Sequence, residues 1–179
     1  MPDMDPSPHP LGVASHLFHG APAEVAAACR RHGLSCVQLT PNFPGCAFRE
    51  PADFTPARCR EATQPFLDAG LSVACVAAKV NLMEPHLSRR RRGIQRLHSL
   101  LRHARDFGTK FVLTETGSLS PDSPWQPYAP NRSAAARAEL RLIVALAVEV
   151  AAEHGARLLL RADPAHVLAT ADDVVRLAD

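Results

Sequence analysis

The sequence predicts an α/β fold, a partial (β/α)8 barrel of about five parallel strands alternating with helices. Two patterns predict it. Five short apolar segments, Leu11–Ser15, Ser35–Thr40, Leu71–Ala77, Lys110–Thr114 and Arg157–Leu160, each end in polar residues and lead into a stretch with helical character. This is the rhythm of βαβ units on a parallel sheet. No Gly-x-Gly-x-x-Gly or Gly-x-x-x-x-Gly-Lys-Ser/Thr loop follows any of them, which counts against the open doubly wound alternative. A whole barrel takes about 200–250 residues. At 179 residues, five units fall short of a ring, so the expected domain, residues 11–179, is a barrel incomplete at its C-terminus.

The elements follow in order. Residues 1–10 hold four prolines and two aspartates and read as a disordered leader. Leu11–Ser15 reads as a buried first strand. A helix is expected from Pro22, suited to a first turn, to His32, with Gly33 just past its end. Cys36–Leu39 is strand two, and Pro41–Asp53 is a loop rich in Pro, Gly and Phe. Thr55 caps the next helix, with Pro56 at its first position. Pro65 inside that helix predicts a kink or break. Leu71–Ala77 is strand three. A long helix, Ser88 to Phe107, carries the apolar stripe Ile94, Leu97, Leu101, Ala104 and Phe107. Phe111–Thr114 is strand four. The stretch Gly117–Arg132, with four prolines, is a loop long enough to suggest function or disorder. The last long helix spans Ser133–His154, with Ile143, Leu146, Ala147 and Val150 expected to face the core. Arg157–Leu160 is strand five, and Ala171–Ala178 a short final helix.

Composition narrows the function classes. The chain is 46% apolar and 21% charged, which makes it globular. A net charge of +2 gives no global pull toward nucleic acid or membrane. The cysteines at 29, 36, 46, 59 and 75 are odd in number and include no Cys-x-x-Cys; reduced, mostly buried thiols are expected. With no signal-like start and no apolar run near the roughly 20 residues of a membrane span, the expected location is the cytoplasm. No Ser/His/Asp nucleophile elbow is present.

The stretches LGVASHLFHG, GLSCVQLTPNFPG, AKVNLMEPHLSRRRRGIQRLHSLLRHARDFGTKFVLTETGS and AAEHGARLLLRADPAHVLATADDVVRLAD resemble, in wording and order, the xylose isomerase-like barrel superfamily, the sugar phosphate isomerases/epimerases. The resemblance covers nearly all of 11–179. It implies the barrel fold, isomerase or epimerase action on a small sugar or polyol, and a divalent metal held by acidic and His side chains at later strand ends. The first such ligand is usually a Glu at the tip of strand five; here that tip reads LLLRAD and holds Arg161.

Barrel chemistry sits at the C-terminal strand ends, which here carry His16, Gln38, Asn81, Glu115 and Arg161. Isomerising a hydroxy-carbonyl sugar takes a base to move a proton between adjacent carbons and a cation to hold the enediolate. Glu115 is the candidate base or metal ligand, or else a structural acid. Arg161 has no lone pair for a metal. It can clamp an anionic oxygen of substrate, or pair with Glu115, and the two are compatible. His16 is a candidate acid/base or a hydrogen-bonded rim residue. Gln38 and Asn81 suit sugar hydroxyls or loop anchoring. Asp163 and His166, three apart, are candidate substrate contacts; as a metal pair they need a helix, and Pro164 between them argues for a loop. Trp125 and Tyr128 in the proline loop either stack on a sugar or plug the barrel rim. No set of metal ligands is assigned. The basic run Arg89–Arg92 with Arg96, Arg102, His103 and Arg105 reads as a solvated helix face in preference to a nucleic-acid surface. The alternative to an enzyme is a non-catalytic partial barrel, with open sheet edges that a second copy could pair with.

Overall fold

The computed structural model describes residues 10–178, so the expected leader lies, but for Pro10, outside the described residues. Five parallel strands form one sheet: β1 (Gly12–Ala14), β2 (Cys36–Leu39), β5 (Ser72–Ala77), β6 (Phe111–Glu115) and β7 (Arg157–Arg161). Their order across the sheet, β1-β2-β5-β6-β7, is their order along the chain. Each crossover therefore steps the same way. Crossovers of one hand then lay every connecting helix on the same face, which is barrel winding; a doubly wound sheet reverses its order and carries helices on both faces. The helices are α1 (Pro22–Arg31), α2 (Pro56–Asp68), α3 (Leu87–Arg102) and α4 (Ala134–Glu153), followed by α5 (Ala171–Ala178). Neighbours pack in sequence, α1 on α2 and α3 on α4.

The register separates two faces. Leu39, Val76 and Val112 lie in register, are fully buried and point into the helical layer. The alternate residues line the opposite, inner face, where Gln38 pairs with Cys75, Leu113 with Leu159, and Glu115 with Arg161. That face is partly open: Leu159 is 37% exposed. It is the concave interior of an arc of barrel.

Several expectations are corrected. The first strand is Gly12–Ala14 and is not buried; Leu11 is 66% exposed, because β1 pairs only with β2 and forms an edge. The loop 41–53 contains a hairpin, β3 (Asn42–Phe43) and β4 (Cys46–Ala47), turned by Pro44 and by Gly45 at φ +74°, a Pro-Gly pair suited to positions i+1 and i+2 of a turn. Pro65 does not break α2, which runs on to Asp68. The residue four before it is the exposed Glu61, whose carbonyl can turn to water. The long helix stops at Arg102 and tightens into a 3-10 turn, Ala104–Phe107, closed by Gly108 at φ +75°. On α4 the buried stripe is Ala136, Leu140, Val144, Ala147 and Ala151, and Leu146 is 56% exposed. Residues 142–152 are so uniformly apolar that periodicity does not single out one face. The arginine helix is not wholly solvated. Arg90 is buried against Glu139 and the carbonyls of Met83 and Glu84, and Arg96 reaches the carbonyls of Phe48 and Ala78.

The loops after β6 and β7 are pinned by buried polar groups. Asn81 Oδ1 accepts from the N–H of Ser118 at 2.8 Å and of Met83 at 3.1 Å, and its Nδ2 donates to Ser118 O at 2.9 Å. Asn131, 1% exposed, accepts from Leu119 N and donates to Ser118 Oγ and Ala165 O. The N–H of Val167 then reaches Gly117 O at 2.9 Å. Each partner closes an otherwise unsatisfied buried group. Gly117 must be glycine here: at φ +82°, a Cβ would lie 2.1 Å from Asn81 Oδ1 and 2.8 Å from Leu82 N.

Two predictions follow from this architecture. Gly117→Ala should cost about 3 kcal/mol, since left-handed strain and a backbone clash add. Gly33→Ala, at φ +70° with nothing within 4 Å, should cost only about 1 kcal/mol. Equal shifts of the two denaturation midpoints would contradict the close approach at Gly117. The second prediction concerns Asp53. It accepts from the N–H groups of Arg49 and Glu50 at 2.8 and 2.9 Å and from Arg58 Nη1 at 2.7 Å. These bonds, the backbone ones first, lower its pKa from 3.8 to about 2. A folded pKa below the unfolded one contributes stability above pH 3.8 that is lost as pH falls through about 2. The Tm gap between wild type and Asp53→Asn should be constant above pH 5 and close below pH 3; a pH-independent gap would remove the carboxylate from the account.

Candidate functional site

Glu115 and Arg161 are the last residues of β6 and β7 and stand opposite each other in register. Adjacent strands lie about 4.8 Å apart, so register alone brings the side chains together, and Arg161 Nη2 donates to Glu115 Oε1 at 2.6 Å. The Glu115 side chain is 8% exposed and that of Arg161 43%. No hydrogen bond among the described residues engages Glu115 Oε2.

Beyond β5 the chain turns at Lys79, which sits at φ +50°, the one non-glycine residue with positive φ among the described residues. That conformation is costly for a residue with a Cβ. Its ammonium lies 3.9 Å from Glu115 Oε1 and makes no hydrogen bond among the described residues. Lys79, Asn81, Glu115, Gly117, Trp125 and His166 all border a cavity of about 200 Å³.

His166 is 2% exposed; neither ring nitrogen makes a hydrogen bond of good geometry, although the Pro124 carbonyl stands close enough to the ring to favour its protonated form. Burial pushes its pKa below the ordinary value, with Asp163 and Glu115 acting in the opposite direction. Trp125, 56% exposed, packs on it with ring centroids 5.2 Å apart and planes inclined at 39°. Asp163 builds the turn that delivers His166: its Oδ1 accepts from Ala165 N at 2.9 Å, and its carbonyl accepts from His166 N at 2.8 Å. This is the loop that Pro164 implied.

His16 lies in the 3-10 turn Ser15–Leu17 after β1, exposed, with Nδ1 3.4 Å from Thr40 Oγ1. Desolvation, then Lys79 and Arg161, pull its pKa down against the pull of Glu115, which places it on the same rim. Gln38 is half-buried on the inner face of β2. Asn81 borders the cavity, but three of its amide hydrogen bonds go to loop anchoring, leaving one N–H. The structure thus gathers Lys79, Asn81, Glu115, Arg161, Trp125 and His166 at one end of the sheet, with His16 nearby. Tyr128 and Asp163 stand outside the cavity wall. Sequence reasoning passed over Lys79, although it is one of only two lysines in the chain and follows a strand. It also passed over Asn131, which had no sequence signal.

The divalent metal implied by the resemblance does not fit these residues. Among the described residues no group of three His, Cys, Asp or Glu can hold a metal ion. Glu115 already faces two cations, and Arg161 has no lone pair to offer. No helix among the described residues is long and apolar enough to cross a membrane.

Comparison with known proteins bears on this arrangement. Among curated proteins none matches the sequence. Among solved structures, the chain is similar to a xylose isomerase-like TIM barrel protein from Mycobacterium smegmatis in complex with magnesium, at TM-score 0.70 and 18% identity, covering 94% of this chain and 60% of that one. It is similar to an L-ribulose 3-epimerase at TM-score 0.67 and 19% identity, covering 94% and 55%. It is likewise similar to a 3-keto-D-glucoside 4-epimerase from E. coli at TM-score 0.68 and 14% identity, covering 93% and 62%. At these identities the likeness is one of fold, and the chain spans less than two thirds of the length of each. The family described as xylose isomerase-like TIM barrel matches residues 24–179, and the chain belongs to that family.

Proposed function

We infer that the chain serves isomerase- or epimerase-type proton transfer on a small sugar or polyol at the C-terminal strand ends. The observation that carries this reading is a buried carboxylate, Glu115, with one oxygen fixed by Arg161 and the other unengaged beside a half-open cavity. Such a carboxylate can take a proton from carbon next to a carbonyl. Lys79 and Arg161 supply fixed positive charge against the enediolate oxygen that forms, the electrostatic part of the task. Trp125 and His166 wall the cavity; Gln38 and His16 extend the polar rim. The epimerases among the fold relatives support the class of reaction, and no step is routed through a metal. A cytoplasmic location belongs to the same proposal, supported by five free thiols, which persist in a reducing compartment.

Proton transfer at carbon leaves a solvent trace. Incubated in D2O with a panel of ketopentoses and ketohexoses, the chain should exchange a substrate C–H for deuterium, read by proton NMR. Glu115→Gln should slow that exchange about 10²–10⁴-fold with the circular dichroism unchanged. Exchange undiminished in the variant, or none on any sugar of the panel, would remove the proposal.

A second reading has its own observation. Strands β1 and β7 each pair on one side only, and the inner face between them is partly open. Unpaired strand edges invite another chain, so a second copy of this chain could pair there. Native mass spectrometry should then show a compact dimer at micromolar concentration; a monomer under those conditions would dismiss it.

A further inference from the structure

The cavity beside Glu115 has hydrogen-bonding capacity that the described residues do not use. Lys79 offers an ammonium with three donors, none engaged, at the end of a left-handed backbone kink. His166 is 2% exposed, and its ring nitrogens make no hydrogen bond of good geometry, with the Pro124 carbonyl beside one of them. Burial favours its neutral form, which has one donor and one acceptor. Asn81 keeps one free N–H. Of the three only His166 is buried, and a buried polar group short of partners is rare in folded chains. Here they converge with the face of Trp125 on one cavity of about 200 Å³.

The unmet groups describe their complement. An ammonium with free donors asks for an anionic oxygen. A neutral imidazole with no hydrogen bond of good geometry asks for a group that can both donate and accept, which a hydroxyl does. The indole offers a flat apolar wall to a carbon chain. The volume corresponds to about six or seven waters at ~30 Å³ each and falls below the roughly 300 Å³ where drug-sized pockets begin. Glu115 does not satisfy Lys79: its Oε1 is taken by Arg161 at 2.6 Å and is 3.9 Å from the ammonium.

We propose that this cavity is a subsite for a small hydroxy acid, with the carboxylate on Lys79, a neighbouring hydroxyl on His166 and the carbon chain along Trp125. The proposal rests on the reading above, in that it names the substrate class of the same site as a sugar acid. It gives Lys79 a direct contact with a substrate carboxylate beyond its electrostatic part in proton transfer, and His166 a binding role that proton transfer does not require.

Trp125 is the only tryptophan in the chain, so its fluorescence reports on this cavity alone. Titration with erythronate, a four-carbon hydroxy acid, should give a saturable change. The neutral polyol erythritol and inorganic phosphate should each bind about tenfold or more weaker, lacking respectively the charge and the hydroxyl-bearing carbon chain. Lys79→Gly removes the ammonium at a φ that glycine accepts, so it should fold, with circular dichroism as wild type, and bind erythronate about tenfold or more weakly. His166→Phe keeps the ring and should weaken binding similarly; His166→Gln serves if the Phe variant does not fold. Erythritol or phosphate matching erythronate, or Lys79→Gly binding as wild type, would overturn the subsite. The two readings fail separately. Saturation by erythronate without deuterium exchange on any substrate upholds the subsite and removes proton transfer. Deuterium exchange on sugars with binding unmoved by Lys79→Gly overturns the subsite and leaves proton transfer standing.

Discussion

The constraint on which the structure depends is the one-way addition of parallel strands. Each of the five is laid beside its predecessor, always on the same side. Parallel strands cannot be joined by a tight turn, and a crossover of fixed hand then places every helix on one face. One face of the sheet is thereby dry and packed with Leu39, Val76 and Val112. The other is left for partly polar side chains. All strands also point the same way, so their C-terminal ends meet at one rim. Glu115, Arg161, Lys79 and His16, scattered over nearly 150 residues of chain, become neighbours through that winding alone.

Once gathered, these groups constrain one another. A carboxylate 8% exposed carries a desolvation cost of several kcal/mol unless charge and hydrogen bonds offset it. Arg161 offsets it directly. Lys79, at 3.9 Å, adds an attraction of at most about 4 kcal/mol at an effective dielectric of 20, reduced by solvent because the Lys79 and Arg161 side chains are 31% and 43% exposed. The pair is thus anchored on the inside and wet on the outside, an asymmetry that leaves the cations accessible from solvent. The polar network through Asn81, Ser118 and Asn131 supplies the second condition. It holds the loop after β6 against the loop after β7, and so keeps Trp125 and His166 over the cavity.

Much of this was legible in the sequence, for reasons that differ by element. The five strands and their helices show because burial imposes periodicity and because Gly33, Gly108, Pro56 and Thr55 punctuate the boundaries. The Glu115–Arg161 pairing was legible as an ion pair between neighbouring strand tips. What stayed hidden depends on tertiary context. β1 reads as a buried strand, but its burial depends on having a neighbour on both sides. The stripe on α4 is degenerate because Leu142, Ile143, Val144, Leu146 and Val148 all qualify chemically, and packing against α3 and β7 makes the choice. Arg90 and Arg96 look like solvated charges until carbonyls of distant segments turn out to need donors. Asn81 is the instructive case: read from sequence as a strand-end residue, it lies four residues past the end of β5, and most of its amide serves the loops.

The same rim bears on metal binding. A divalent ion needs anionic and neutral donors converging on one point. At this rim the tip of β7 carries a guanidinium in place of a carboxylate, and the kink after β5 adds an ammonium. Two cations around one acid repel a metal ion and present positive charge to an anionic oxygen. Lysine at a left-handed position is an odd choice if only fold matters, since glycine would relieve the strain. It is a sensible one if the direction of the ammonium matters, because the kink turns the side chain back over the strand ends toward Glu115. The strain at Lys79 and the empty valences of His166 are two departures from good packing practice. They border the same small cavity, and that coincidence argues that this end of the sheet is shaped by a ligand rather than by the fold.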